Sequence, residues 1–274
     1  MYRAFDVNLS GFSQLSDADS EAGQKLWIEN AAQVRTKLET FLRNDGSLDG
    51  SEMQKNWFPQ VDADVFISHS HQDQMLAIRL AGWLSRHFSL RPFIDSCVWG
   101  NSEFLLKLID DEYCLNPGRE TYSYEKRNRS TSHVHMMLSV ALTKMIDNTE
   151  SAWVLNTQNS VTSKDVVERT QSPWIFSEIS TMRLIRRKDA ESHRQQVKLA
   201  KSIAMGRRAD SPIGISYMAP LDSFAKLNAT TLQIWKARPR SLHALDLLYE
   251  LVPEPRSAAP MTYISGIGNQ GQLR

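Results

Sequence analysis

The segment SPWIFSE, residues 172–178, sets a tryptophan and a glutamate four apart, Trp174 and Glu178. At that spacing both lie on one face of a helix, where an aromatic ring beside a carboxylate can form a small-molecule site. The plainer alternative is an exposed glutamate next to a half-buried tryptophan. Ser172 is suited to cap this helix and Pro173 to occupy its first position, where a missing N–H costs nothing. Ile175, Ile179 and Met182 then make the buried stripe, with Trp174 and Glu178 turned away from it.

Two His-x-His pairs, His69/His71 and His133/His135, have the types that ligate metals. The first pair falls where a strand ends and the second at an expected helix start, where i and i+2 diverge. No neighbouring carboxylate completes a ligand set, so no metal site is expected. Polar lining of a pocket suits the first pair, and helix-start capping and solvation the second. A literal G-x-G-x-x-G at Gly266, Gly268 and Gly271 is followed by three residues only. Those cannot make the helix whose N-terminus would hold a pyrophosphate. Neither a P-loop motif nor a G-x-S-x-G elbow occurs. The basic run RLIRRK, 183–188, ends a helix, where cations meet the negative end of the dipole.

The elements that position these residues alternate from residue 64 onward. VFIS (65–68), RPFID (91–95), AWVLNT (152–157) and PIGISY (212–217) read as short buried strands. Helical patterns lie between them, at 75–88, 104–113, 132–148 and 172–187, with a polar helix at 191–205 and a closing helix at 242–252. The expected class is α/β, a flavodoxin-like, doubly wound parallel sheet. Residues 1–60 read as a helical N-terminal extension, with Leu26, Ile28, Ala32, Val34, Leu38 and Leu42 at helical spacing. Residues 61–253 read as the main domain with an inserted loop at 114–132, and 254–274 as a tail. A second long loop is expected at 158–171; long loops are often functional. Ligands of such sheets bind beyond the carboxyl ends of the strands, here at Ser68 to His71, Asp95 to Cys97 and Asn156–Thr157.

Composition excludes several classes. With 32 basic and 31 acidic residues, the chain is not built to hold nucleic acid or an anionic membrane by bulk charge. Cys97 and Cys114 cannot make a disulfide framework or, alone, a zinc site. No secretory leader and no apolar run of about 18 residues is seen, so the expected compartment is the cytoplasm.

The blocks DVFISHSHQD (64–73), RPFIDS (91–96), SAWVLNT (151–157) and SPWIFSEI (172–179) occur in an order that resembles the Toll/interleukin-1 receptor (TIR) domain. The resemblance is to the bacterial kind used in anti-phage defence, including TIR subunits of Thoeris systems, and covers roughly residues 64–252. The receptor-adaptor box Arg-Asp-x-x-Pro-Gly is missing; CVWGNSE (97–103) stands there instead, which favours an enzyme over an adaptor. The resemblance implies cleavage of the nicotinamide–ribose bond of NAD, taken as substrate with no further cofactor. The product would be linear, cyclic or conjugated ADP-ribose, acting as a messenger to a downstream effector. It implies Glu178 as the catalytic carboxylate, Trp174 and Trp99 as stacking rings, and His69, Ser70 and Asp95 as partners of ribose and phosphate. Self-association is implied too. The alternative is a non-catalytic TIR scaffold acting by homotypic binding. The 114–132 segment and the N-terminal helix depart from the minimal pattern.

Overall fold

The computed structural model describes residues 1–31, 38–118, 120–161, 169–194, 217–239 and 242–255, with backbone alone at 30, 31, 97–101 and 218. The chain opens with β1 (Arg3–Asn8), α1 (Asp17–Ala31), a 3-10 turn (Leu38–Phe41) and α2 (Gly50–Trp57). β2 (Val65–Ser68), α3 (Gln74–Phe88), β3 (Pro92–Ile94), α4 (Ser96–Tyr113), α5 (Tyr124–Asn148) and β4 (Ser151–Leu155) follow. Then come β5 (Arg169–Thr170), α6 (Pro173–Leu184), α7 (Ala190–Arg194), β6 (Tyr217–Met218), β7 (Ala225–Asn228), α8 (Ala229–Ala237) and α9 (Ala244–Leu251).

Among the described residues, five strands form one parallel sheet in the order β3-β2-β4-β1-β7, while β5 and β6 make a small antiparallel ribbon. Strand alternation divides the apolar residues between two layers. Ala4, Phe66, Phe93, Ala152 and Val154 face a core shared with α2, α4, α5 and α6. Phe5, Val7, Val65, Ile67, Ile94, Trp153 and Leu155 face the other, shared with α3, α8 and α9. A sheet covered on both faces is the expected α/β architecture, consistent with a flavodoxin-like fold. Counted from Val65, the first three strands stand second–first–third, the flavodoxin-like order. The fourth place, however, is taken by β1.

That strand is the main departure from the sequence reading. Residues 1–60 do carry helices, but the six residues ahead of them are built into the sheet between β4 and β7. β1 holds two charged residues, Arg3 and Asp6, which disguise it. Both are buried beside distant partners: Lys226 Nζ lies 2.5 Å from Asp6 Oδ2, and Arg3 donates to the carbonyls of Tyr249 and Val252. The α1 stripe also differs. Ile28 is exposed and Trp27 is buried instead; beyond the end of α1, Leu38 is buried as expected but Leu42 is exposed. α1 turns Gly23 toward α3, where a Cβ would come within 1.8 Å of the Ile78 carbonyl oxygen; Gly82 of α3 meets Asp19 just as closely. Ala32 and Val34 lie outside the described residues.

The 114–132 loop is shorter than expected. α5 begins at Tyr124, capped by Ser123, whose side chain accepts from the Lys126 N–H. The connection that remains is closed by a Leu115–Tyr122 bridge. Ser130 looked like loop material but is buried, donating to Asp110 at 2.6 Å. His133 and His135 therefore lie inside a helix, not at its start. Strand β7 and helix α8 were not expected; Asn228 caps α8 by accepting from the Thr231 N–H. The expected strand at 212–217 falls outside the described residues except for Tyr217, as do most of the 191–205 helix, residues 162–168 of the second long loop, the glycine motif and most of the tail. No helix among the described residues is long and apolar enough to cross a membrane.

Candidate functional site

The sheet's strand order reverses around β2: the chain leaves it for β3 on one side and returns as β4 on the other. Crevices at the carboxyl ends of strands open at such a switch point. Here β2 ends in Ser68. By alternation Ser68 shares the Phe66 face, under α6, and the Ile67–Ile94 pairing brings Asp95 level with it at the end of β3. Helix α6 supplies the third group. Its start is as local chemistry dictates: Pro173 at the first position and Ser172 accepting from the Ile175 N–H.

Glu178 does not face away from the α6 stripe. It is buried along with Ile175, Ile179 and Met182 and points at the sheet. Ser68 Oγ donates to Glu178 Oε2 at 2.6 Å, and the Glu178 and Asp95 carboxyls lie side by side, close enough to share a proton. Beyond Asp95, His69 Nδ1 stands 2.6 Å from Asp95 Oδ1. The result is a continuous chain, Ser68–Glu178–Asp95–His69, in which no member is more than 1% exposed. Burial, then the neighbouring Asp95, holds Glu178 well above the usual carboxylate range. Burial holds Asp95 up as well, and lowers His69 to about 4. Among the described residues no Lys or Arg pairs with either carboxyl, so the pair keeps a proton near neutrality.

A second polar hub lies beside it. Asp73 accepts from Ser70 at 2.5 Å, Thr157 at 2.6 Å and Asn159 at 2.9 Å, joining the loop after β2 to the loop after β4. Burial works against its charge, but these three donors outweigh it and keep the carboxyl below its ordinary value.

The expected site residues are thus divided. His69, Asp95 and Glu178 are brought together, while Ser70 spends its hydroxyl on Asp73. Trp174 sits half-buried one turn before Glu178, with its ring edge-on to His135 at 5.4 Å. Trp99 lies in the first turns of α4, and its side chain is outside the described residues. His71 is exposed whereas His69 is wholly buried, so that pair does not line one surface. Sequence reading missed Ser68 as a partner of Glu178. Its signal was a polar side chain ending an otherwise apolar buried strand. Asp73 was missed because its three donors come from two loops. Among the described residues no three or more His, Cys, Asp or Glu side chains converge so that they could hold a metal ion.

The arrangement can hold a carboxyl in a dry setting, trade its proton with a neighbour, and present negative charge to a cation arriving at the switch point. No protein-family model matches the chain, and no curated protein or solved structure does either.

Proposed function

We propose that the chain is a TIR-like enzyme that cleaves the nicotinamide–ribose bond of NAD, with Glu178 as its catalytic carboxylate. The observation that carries this reading is the Glu178 carboxyl at the switch point, anchored by Ser68 and paired with Asp95. The TIR resemblance of the blocks from Asp64 to Ile179 supports it.

The chemistry suits such a site. The C–N bonding electrons leave with nicotinamide, which departs neutral because its ring begins as a cation, so no acid is needed to assist it. The ribose takes on oxocarbenium character. A carboxylate about 4 Å from that charge is worth about 4 kcal/mol at an effective dielectric near 20, roughly a thousandfold in rate. Trp174, and Trp99 on α4, are the rings proposed to stack on the ligand. Water completes hydrolysis to ADP-ribose, whereas an internal or external nucleophile gives a cyclic or conjugated product. Such a product fits a messenger in anti-phage defence, made by a self-associating enzyme.

The experiment follows nicotinamide release from NAD by the purified full chain, alone and with lysate of phage-infected cells. Glu178→Gln retains an acceptor for Ser68 and a donor for Asp95, so it tests the charge alone; release is expected to fall about a thousandfold. Full turnover by Glu178→Gln and Glu178→Ala would overturn the assignment.

One observation favours a second reading. The whole Ser68–Glu178–Asp95–His69 chain is buried, as suits a polar knot that locks α6 to the sheet in a non-catalytic, homotypically associating module. Absence of nicotinamide release with and without lysate, together with concentration-dependent self-association, selects this reading.

A further inference from the structure

The site holds more than its glutamate. Asp95 is poorly placed to hold a ligand's hydroxyls: it is wholly buried, with Oδ1 2.6 Å from His69 Nδ1 and its carboxyl beside that of Glu178. Two carboxylates in contact, away from water and without a paired Lys or Arg among the described residues, cannot both ionise, so one proton stays between them. We propose that Asp95 is a positioning residue that takes the proton Glu178 gives up when Glu178 acts as a carboxylate. This rests on the reading of Glu178 as the acting group.

The transfer balances within the pair. The Glu178 O–H bond breaks, the proton passes directly to an oxygen of the neighbouring Asp95 carboxylate, and the negative charge moves from Asp95 to Glu178. The pair stays at one net negative charge, and no outside base is required. An arriving cation draws the charge toward Glu178 because the anion is then nearer to it. Ser68 Oγ, which already donates to Glu178 Oε2, is in place to stabilise the new carboxylate. His69 sits against Asp95 in either state. Among the described residues, the titratable groups that face the pair are His69 and, beyond it, Asp73, which is held by its own three donors.

Asp95→Asn tests this. Asparagine removes the competing negative charge and offers Glu178 a fixed N–H donor, so Glu178 should ionise at lower pH. The measurement is the side-chain 13C shift of Glu178, assigned with Glu178→Gln, in the full-length protein across a pH series. The Glu178 titration should move down by about one pH unit or more in Asp95→Asn. The acid limb of nicotinamide release should move with it, which a merely structural Asp95 would not cause. An unmoved Glu178 titration overturns the proposal. If Asp95→Asn does not fold, the wild-type spectra decide: the two carboxyls must titrate as a coupled pair in two steps, and independent single-step curves overturn it. The carboxyl titration does not depend on turnover. Coupling without nicotinamide release would therefore refute the catalytic reading and leave the pair intact, whereas turnover without coupling would refute the pair and leave the reading intact.

Discussion

A carboxyl buried in its protonated form makes stability depend on pH, and the sign is fixed by which state binds the proton. In the unfolded chain Glu178 titrates near its ordinary value of about 4.3, while in the fold burial and Asp95 hold it well above that. Between those limits the native state binds more protons than the unfolded one, so stability falls as pH rises, by up to about 1.4 kcal/mol per unit for the group. Glu178→Gln cannot ionise. Its stability relative to wild type should therefore increase with pH above about 5, as read from urea midpoints at a series of pH values. A difference that is constant with pH would mean that Glu178 is not held protonated. At this scale much was legible. Glu178, its cap at Ser172 and its neighbours on the stripe follow from local spacing. The inward turn of Glu178 does not, because a carboxyl is buried only where Ser68 and Asp95, more than eighty residues away in sequence, wait to receive it.

Among the elements, α1 and α3 carry the closest approach. Gly23 and Gly82 let the two backbones come so near that a Cβ on Gly82 would meet Asp19 at 1.8 Å. Gly82→Ala should force the helices apart and cost about 3 kcal/mol, seen as a lower urea midpoint with an unchanged slope. These helices cover the face of the sheet opposite α6, so Glu178 should keep its environment and its carboxyl titration should not move. The sequence reading followed a stripe that begins with Leu26 and Ile28 on α1, yet the buried side of that helix is the one carrying Gly23 and Trp27. A glycine contributes nothing to an apolar pattern, and its importance is visible only once the second helix is beside it. The same holds for α5. Ser130 reads as polar loop until Asp110 of α4 is seen to accept its hydroxyl.

For the molecule as a whole, the first strand decides what folds. β1 pairs with β4 on one side and β7 on the other, so it bridges the site-bearing strands to the C-terminal part of the sheet. A chain beginning at residue 61 would lose that bridge, leave β4 and β7 with open edges, and strand Lys226 without Asp6. It should show no cooperative thermal transition by circular dichroism. Reversible cooperative unfolding of that chain would instead establish the first sixty residues as a separable extension. The small ribbon of β5 and β6 adds a further tie, with Phe176 of α6 stacked on Tyr217 at 4.6 Å.

What the sequence by itself determined is the alternation of apolar strands with helices, the α/β class, the boundaries of β2, β3 and β4 to within a residue or two, and the start of α6. These are local properties, set by side-chain period, capping and turn chemistry. Only the tertiary structure decided that residues 3–8 enter the sheet, that Glu178 faces inward, and that Ser68, Asp95 and His69 join it. The physical reason is common to all three. Burying a charge or a polar group is unfavourable until its partner arrives, and each partner here comes from a distant part of the chain.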